Sequence, residues 1–141
     1  MRLGNWNKSS TNSFENCGKK LGIIGYGNIG AQLSVLAESL VMHVYYYDID
    51  ERLAMGNAVK CNTLEELLKL ADILTLHVDG RDENKNLLGI KEFKHMKEGV
   101  IFLNLSRGHV VDIHALRENI VNSRIGGAVI DVYPEEPKSN A

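Results

Sequence analysis

The sequence has few of the features that mark membrane, nucleic-acid-binding or disulfide-rich proteins. No apolar run approaches the length of a membrane-spanning helix, and no hydrophobic leader opens the chain. The net charge of -2 and the lack of interleaved basic and aromatic residues give no sign of a nucleic-acid or membrane surface. The two cysteines, Cys17 and Cys61, lack the spacing of metal ligands. We therefore expect reduced thiols in a cytoplasmic protein without a bound metal.

The composition is that of an ordinary globular domain. Hydrophobic residues make up 44% and charged residues 24% of the 141 residues. A chain of this length fits one domain that buries roughly 70% of its unfolded surface. Residues 1–17 are polar and contain no predicted strand, so we expect a connecting segment there and a folded domain over 18–141. Both ends suggest a domain of a longer protein, and an independent short product is the alternative.

Short apolar runs alternate with helical stretches along the chain. Strands are predicted at residues 20–24, 43–47, 58–61, 72–78, 100–105 and 127–132. Helices are predicted at 31–40, with Ile29, Leu33, Leu36 and Leu40 on one face, from the capping box at 63–66 through Leu70, at 91–97, and after Asp112, with Leu116 and Ile120. This alternation predicts an α/β fold, a doubly wound parallel sheet of the Rossmann type in a single domain.

The most specific motif is Gly-x-Gly-x-x-Gly at residues 25–30, between the first strand and the first helix. Gly25 permits the tight turn, Gly27 lets a pyrophosphate approach the backbone, and Gly30 lets the helix pack closely on the strand. The N–H groups that open the helix then face the phosphates, aided by the helix dipole. A lone glycine pattern is weak evidence. The strand before it, the helix after it and an acidic strand end downstream together predict a dinucleotide cofactor.

Asp48 is that acidic strand end, 18 residues beyond Gly30. A carboxylate here can accept hydrogen bonds from the adenosine ribose hydroxyls, and its charge repels a 2′-phosphate. NAD is therefore favoured over NADP. Arg52 could partly shield a phosphate, which keeps NADP as an alternative. A solvated turn containing Asp48, Asp50 and Glu51 is the other alternative.

Polar residues also follow the other predicted strands. His77 lies at the end of the fourth strand, Ser106 and Arg107 follow the fifth, and residues 131–136 follow the sixth. The carboxyl ends of parallel strands meet at one edge of a sheet, which is where ligands bind in such folds. We therefore expect these residues to lie along the same edge as the glycine motif.

Each of these polar residues has a chemical and a structural interpretation. The guanidinium of Arg107 suits a substrate carboxylate, although an arginine after a strand is often a surface ion-pair partner. Asp131 could orient a nicotinamide carboxamide or simply form a turn. Glu136 could hold a histidine that works as acid and base, or be an exposed loop charge. His77 is a possible cofactor contact or a packed lining residue.

These motifs together resemble the D-2-hydroxyacid dehydrogenase family and, within it, the D-3-phosphoglycerate dehydrogenase branch. The segments that carry the resemblance are residues 6–9, 18–30, 104–108, 110–112 and 128–137. The family has two lobes, and this chain resembles the nucleotide-binding lobe that is inserted into the sequence of the substrate lobe. The resemblance implies an NAD-dependent oxidoreductase whose substrate lobe is not part of this sequence.

The resemblance also implies a role for individual residues. The implied cofactor contacts are Gly25, Tyr26, Gly27, Asn28, Ile29, Gly30, Asp48, His77, Val78, Leu105, Ser106, Arg107 and Asp131. Arg107 resembles the arginine that binds and polarises the substrate carboxylate, and Glu136 resembles the acid that pairs with the catalytic histidine. That histidine is expected beyond the end of the last motif and is not among these 141 residues.

The chain departs from the family pattern after His77 and Val78. Residues 79–81 read Asp-Gly-Arg where the family commonly has proline, and Asn84 stands near the place of a threonine. We therefore expect a loop of different shape at this point, within an unchanged fold.

The function implied by the resemblance is oxidation of 3-phosphoglycerate to 3-phosphohydroxypyruvate by hydride transfer to NAD, the entry step to serine biosynthesis. Alternatives are a dehydrogenase of another D-2-hydroxy acid, such as glycerate or lactate, and a non-catalytic NAD-responsive binding module. The expected partners are a small-molecule 2-hydroxy acid and, for the longer protein, further copies of itself, with no nucleic acid or membrane. The 141 residues alone are expected to bind NAD without turnover.

Overall fold

The computed structural model describes residues 14–135. Most of the predicted connecting segment, Glu136 and the end of the last motif lie outside these described residues. Among the helices of residues 14–135, none is both long and apolar enough to cross a membrane.

One six-stranded sheet forms the centre of the described domain. Its strands are β1 (Lys20–Ile24), β2 (His43–Tyr47), β3 (Val59–Lys60), β4 (Ile73–Leu76), β5 (Val100–Asn104) and β6 (Ile125–Ile130). They lie in the order β3-β2-β1-β4-β5-β6, and all neighbouring pairs are parallel. The predicted doubly wound parallel fold is confirmed, and the chain reverses its direction of travel across the sheet between β1 and β4.

The helices of the described residues are divided unequally between the two faces of this sheet. They are α1 (Asn28–Ser39), α2 (Leu64–Leu70), α3 (Ile90–His95) and α4 (Ile113–Val121). Because side chains alternate along a strand, Ile23 and Ile24 belong to two separate hydrophobic clusters. The larger cluster packs beneath α2, α3 and α4, which lie side by side, and of the helices in residues 14–135 only α1 lies over the smaller one.

The predicted caps of α2 and α4 are present. Thr63 Oγ1 accepts a hydrogen bond from the backbone N–H of Glu66 at 3.1 Å. Glu66 reaches back to the N–H of Asn62 at 2.8 Å, one residue earlier than in a regular capping box. Asp112 Oδ1 accepts from the N–H groups of His114 and Ala115. These bonds satisfy N–H groups that a helix start otherwise leaves without partners.

Only part of the predicted apolar face of α1 contacts the sheet, because Leu33 packs against the smaller cluster whereas Leu40 is exposed. Ile29 and Leu36 are 67% and 63% exposed, whereas Gly30, Ser34 and Ala37 are buried. A Cβ at position 30 would collide with a carbonyl oxygen of the glycine turn, so the backbone of α1 lies very close to β1. Only small residues fit at this closest contact, and of the predicted apolar face only Leu33 packs against the core.

Several predicted strand limits also need correction. The fourth strand covers only residues 73–76, and the third is reduced to a two-residue strand. The last strand begins at Ile125 rather than at residue 127, with an irregular register beside Val100. Beyond the end of β4, the N–H of His77 still bonds the carbonyl of Ile24 at 2.7 Å. The fourth strand was predicted to continue to residue 78, and this hydrogen bond shows that its pairing with β1 does extend to His77, one residue beyond the end of β4.

Candidate functional site

The three glycines of the turn after β1 are required for three different reasons. Gly25 has φ +91°, and a Cβ there would lie 2.8 Å from backbone atoms of His77 and Val78. A Cβ on Gly30 would collide with the Gly25 carbonyl oxygen. A Cβ on Gly27 would meet nothing within 4 Å. Gly25 and Gly30 are therefore needed for the backbone to pack as it does, whereas Gly27 leaves open space above the backbone.

The N-terminus of α1 opens onto that space. The first helical hydrogen bond runs from the N–H of Ala31 to the carbonyl of Gly27 at 2.9 Å. The N–H groups of Asn28 and Ile29 precede it, both residues are exposed, and among residues 14–135 no side chain caps this end. The first turn contains no acidic residue. The positive end of the helix dipole is thus available to an anion.

Asp48 is fixed in place beside the glycine turn. Its side chain is 10% exposed. Oδ2 accepts a hydrogen bond from the N–H of Tyr26 at 2.7 Å, and Oδ1 accepts one from the N–H of Asp50 at 2.9 Å. Each carboxylate oxygen can accept about two hydrogen bonds, so both retain acceptor capacity. The carboxylate is oriented by backbone groups and can still bind hydroxyl groups.

Tyr26 supports the turn from within. Its side chain is buried, its ring stacks on Tyr46 with centroids 3.7 Å apart, and its hydroxyl bonds Ser34 Oγ at 2.7 Å. The same hydroxyl accepts from the N–H of Met55 at 3.1 Å. Because its N–H is also committed to Asp48, Tyr26 holds the loop after β2 against the turn. It does not line the adjacent cavity.

A cavity of about 250 Å³ lies beyond the carboxyl ends of β1, β2 and β4. It brings together five of the predicted site residues, Gly25, Gly27, Asp48, His77 and Val78. Apolar walls are formed by Ile24, Ile49, Leu64 and Leu87. A concave apolar space with a few converging polar groups is the usual form of a small-molecule site.

His77 forms part of the cavity wall in a defined orientation. Its Nε2 lies 3.0 Å from the hydroxyl of Thr75. Burial lowers the pKa of His77 below its ordinary value, so the ring is neutral near pH 7. A neutral, half-buried ring held by a neighbouring hydroxyl is suited to packing against a ligand.

Asn104, at the end of β5, organises the next loop and was absent from the predicted set. Its Oδ1 accepts from the N–H and the hydroxyl of Ser106, and its Nδ2 donates to the carbonyl of Arg107 at 3.1 Å. Asn104 and Ser106 are buried, whereas Leu105 between them is exposed. The available signal in the sequence was an asparagine directly after the apolar residues 100–103, because an amide buried at a strand end needs hydrogen-bond partners.

Arg107 lies on the same edge, one strand farther from β1 than the cavity. Its Nη1 donates to the carbonyl of Ser106 at 2.7 Å. Its aliphatic stem passes over Gly80, where a Cβ would lie 3.3 Å from Arg107 Cγ. The exposed guanidinium does not line the 250 Å³ cavity. The cavity and Arg107 are thus adjacent parts of one edge rather than one pocket.

Asp131 continues this edge after β6. Its N–H donates to the carbonyl of Asn104 at 3.1 Å, and its side chain is exposed. A Cβ on Gly108 would collide with the backbone of Tyr133, so the segment after β6 rests directly on the loop after β5. Glu136, which was predicted to pair with the catalytic histidine, lies outside the described residues.

The loop that departs from the family pattern is closed by its own ion pair. Asp79 accepts hydrogen bonds from Arg81 Nη2 at 2.6 Å and from Asn84 Nδ2 at 2.9 Å. The hydrogen bond from Arg81 lowers the pKa of Asp79 to about 2. A short 3-10 turn, Asp82–Asn84, follows. Side-chain bonds thus shape a turn that contains no proline.

The carboxyl edge therefore gathers the predicted residues as the parallel topology requires. The cavity is lined by Gly25, Gly27, Asp48, His77 and Val78. Asn28 and Ile29 lie beside it at the N-terminus of α1, and Tyr26 and Gly30 are buried behind the turn. Leu105, Ser106, Arg107 and Asp131 continue along the edge past β5 and β6. Over residues 14–135, no group of three or more His, Cys, Asp or Glu side chains is placed to hold a metal ion.

The chain belongs to the family described as D-isomer specific 2-hydroxyacid dehydrogenase, NAD binding domain, whose model matches residues 1–141. NAD is the cofactor of this family. The open N-terminus of α1, the space above Gly27 and the oriented carboxylate of Asp48 fit the pyrophosphate and ribose of such a dinucleotide.

Within this family, the chain is similar to the following proteins. D-3-phosphoglycerate dehydrogenase of Escherichia coli K12 is 51% identical over 138 residues, which cover 98% of this chain and 34% of that protein. A Schizosaccharomyces pombe protein named as a putative D-3-phosphoglycerate dehydrogenase is 53% identical over 140 residues, 99% of this chain and 30% of its own. The solved structure of Aquifex aeolicus D-lactate dehydrogenase with NAD and lactic acid has a TM-score of 0.85 at 29% identity, covering 95% of this chain and 40% of that one. The chain thus spans about a third of the length of these curated relatives.

Proposed function

We propose that this chain is the NAD-binding lobe of a dehydrogenase that oxidises D-3-phosphoglycerate to 3-phosphohydroxypyruvate in serine biosynthesis. Two relatives that are about half identical to this chain bear the corresponding name, which supports this substrate over lactate or glycerate. The arrangement of the carboxyl edge supports a dinucleotide beside an arginine that faces solvent.

The adenosine half of the cofactor is assigned to the cavity. Asp48 accepts hydrogen bonds from the ribose hydroxyls, and the N–H groups of Asn28 and Ile29 bind the pyrophosphate above Gly27. The apolar walls contact the adenine ring, and His77 with Val78 forms the wall toward the middle of the cofactor. In this assignment Tyr26 acts indirectly, because its N–H and hydroxyl hold the segments that carry these groups.

The nicotinamide half is assigned to the edge beyond β5 and β6. The backbone around Leu105 and Ser106 lies beside the ring, and the carboxylate of Asp131 orients the carboxamide. Bound NAD supplies the acceptor for the hydride of the substrate carbon. The guanidinium of Arg107 binds the substrate carboxylate as a planar fork. Glu136 is proposed to pair with a histidine of the longer protein, which takes the hydroxyl proton.

The fixed carboxylate of Asp48 is the single observation that best supports the proposal. Isothermal titration of NAD into the wild-type chain and into Asp48→Asn tests it directly. The substitution keeps the size of the side chain, removes its charge and replaces one acceptor oxygen with an NH2 group, so NAD affinity should fall about tenfold. Asp72→Asn, at the opposite edge of the sheet, is the matched control and should bind NAD as the wild type does. Equal affinities of the wild type and Asp48→Asn would contradict the role of Asp48.

The reaction itself calls for a separate experiment. The 141 residues are expected to bind NAD but to form no NADH from D-3-phosphoglycerate, since hydride transfer requires the substrate to be held in place by groups outside this chain. The longer protein should use D-3-phosphoglycerate with a higher kcat/KM than D-lactate or D-glycerate. Measurable NADH formation by the 141 residues would overturn the first expectation, and a preference for lactate would overturn the substrate.

Self-association is also proposed for the longer protein. The outer face of α1 and the turn after it carry Leu36, Leu40 and Val41, all of them exposed. A group of apolar side chains on one surface is typical of a contact with another protein surface. Light scattering after size exclusion should give a mass of at least two chains, and Leu36→Glu should reduce that mass. A strictly monomeric longer protein would contradict this.

A further inference from the structure

Two guanidinium groups line the cofactor cavity, and each is held by a carboxylate. Arg52 Nη2 lies 2.8 Å from Asp50 Oδ2, and Arg81 Nη2 lies 2.6 Å from Asp79 Oδ2. With Asp48 the lining contains three carboxylates and two guanidinium groups, one negative charge in excess. Both positive charges in the cavity wall are therefore already neutralised by an acidic neighbour.

Arg52 lies closest to the carboxylate assigned to the ribose. Its Nε is 3.8 Å from Asp48 Oδ1, and its side chain is 45% exposed. Its backbone carbonyl accepts a hydrogen bond from the hydroxyl of Tyr46 at 2.9 Å, which fixes the segment that carries it. A substituent on a ribose bound by Asp48 would therefore come within reach of the Arg52 guanidinium.

We propose that Asp50 is a specificity-determining residue that withholds Arg52 from a 2′-phosphate and so adds to the preference for NAD over NADP that the charge of Asp48 gives. A free guanidinium is among the best phosphate ligands, because its planar fork can donate two parallel hydrogen bonds. Here Asp50 occupies one of its terminal nitrogens and balances its charge. The inference rests on the proposed function, in which Asp48 binds the adenosine ribose.

Arg81 provides an internal comparison within the same cavity. Asp79 holds it through both Nε and Nη2, so the guanidinium is engaged by a two-pronged contact. Arg81 follows β4, whereas Arg52 belongs to the same loop as Asp48. Releasing Arg81 should therefore add positive charge to the cavity without adding a phosphate ligand at the ribose.

The experiment titrates NAD and NADP into the wild-type chain, Asp50→Asn, Asp50→Asn with Arg52→Gln, and Asp79→Asn. Asp50→Asn keeps the backbone N–H that bonds Asp48 and removes only the side-chain charge. It should raise the affinity for NADP about tenfold or more and leave NAD within about twofold. The gain should disappear when Arg52→Gln is added and should shrink as salt is raised, because this contact is partly exposed. Asp79→Asn should give no selective gain.

Three outcomes would overturn the inference. The first is that Asp50→Asn does not raise the affinity for NADP relative to NAD. The second is that the increase remains when Arg52→Gln is added, and the third is that Asp79→Asn gives an equal increase. Circular dichroism of each variant checks that it is folded. If the wild type binds NAD and loses it on Asp48→Asn while Asp50→Asn changes nothing, only this inference fails. If the wild type binds neither nucleotide, the proposed function fails with it.

Discussion

Asp48 and Asp72 stand at opposite edges of the sheet, and each accepts a backbone hydrogen bond beside one end of β1. At the carboxyl edge, Asp48 accepts a hydrogen bond from the N–H of Tyr26 at 2.7 Å. At the amino edge, Asp72 accepts one from the N–H of Lys20 at 2.9 Å. Each carboxylate thus holds a backbone group at one end of the central strand. Their other contacts give them different roles.

The charge of Asp72 is balanced by a lysine, whereas Asp48 is held in position by backbone N–H groups. The ammonium of Lys97 lies 2.7 Å from Asp72 Oδ1. Burial raises the pKa of Asp72, but the hydrogen bonds from Lys97 and from the Lys20 N–H outweigh it, so the pKa lies below its ordinary value. Beside Asp48 the nearest guanidinium is 3.8 Å away and shared with Asp50. Asp72 is therefore structural, because a lysine ammonium bonds it directly, whereas Asp48 keeps acceptor capacity because its nearest cation is also held by Asp50.

The larger cavity lies at the edge opposite the one to which we assign the cofactor. The groove at the amino edge, lined by Asp72 and Lys97, has a volume of about 700 Å³, whereas the cavity beside Asp48 has about 250 Å³. The smaller cavity has the open helix N-terminus and the oriented carboxylate. Chemistry at the strand ends, rather than volume, distinguishes the two edges. Changes at the amino edge should affect stability alone, and those at the carboxyl edge should affect binding.

The largest expected effect is an exception, because it is a loss of stability caused by a change at the carboxyl edge. Gly30→Ala, at the carboxyl edge, places a Cβ against the carbonyl oxygen of Gly25, and neither backbone segment can give way easily. We expect the free energy of unfolding to fall by about 3 kcal/mol or more, as for severe overpacking. Urea unfolding followed by circular dichroism measures it. Wild-type stability in this variant would mean that α1 does not pack as closely as described.

Gly27→Ala, three residues before Gly30, should affect binding rather than stability. Its Cβ would meet no atom within 4 Å, so the stability should change by no more than about 0.5 kcal/mol. The methyl group fills the space assigned to the pyrophosphate, and NAD affinity should fall at least about tenfold. Calorimetric titration beside the urea experiment separates the two effects. Unchanged NAD affinity would remove the pyrophosphate from this position.

Much of this arrangement could be predicted from the sequence. Alternating apolar runs predicted six strands, and the parallel topology that follows puts Gly25, Asp48 and His77 at one edge. The glycine spacing predicted the close contact at Gly30, because only a glycine allows a helix backbone to lie against a strand turn. These features follow from local pattern and from the geometry common to doubly wound sheets.

Other features depend on contacts that no local pattern contains. The leucine spacing of α1 correctly indicated a helix but only part of its packing face, since Leu33 packs on the core whereas the buried Gly30, Ser34 and Ala37 show no hydrophobic periodicity. The contact of Arg52 with Asp50 depends on the path of an irregular loop. Periodicity gives the existence of an element more reliably than its partners.

At the amino edge, Asp72→Asn should reduce stability without changing NAD affinity. The loss of the Lys97 ion pair in a partly exposed site should cost about 0.5–1 kcal/mol. Because folding lowers the pKa of Asp72, its stabilisation is present above the ordinary value of 3.8 and is lost as the pH falls through the folded value. Urea unfolding between about pH 6 and about pH 3 should therefore show a shallower acid loss in the variant than in the wild type. An identical slope would mean that Asp72 contributes nothing to it.

Val41→Gly, also at the amino edge, should give the smallest effect and the only gain. Val41 has φ +59° at the end of α1, where its N–H bonds the carbonyl of Glu38 and the N–H of Met42 bonds that of Ala37. Glycine is favoured at this position of such a helix end, whereas a β-branched residue is strained there. Since Val41 is 64% exposed, little packing is lost, and stability should rise by about 0.5 kcal/mol. Val41→Ala, which keeps a Cβ, is the control and should gain less. If the alanine variant equals or exceeds the glycine variant, the strain at φ is not what limits this end of α1, and a changed NAD affinity in either would show that the two edges are coupled.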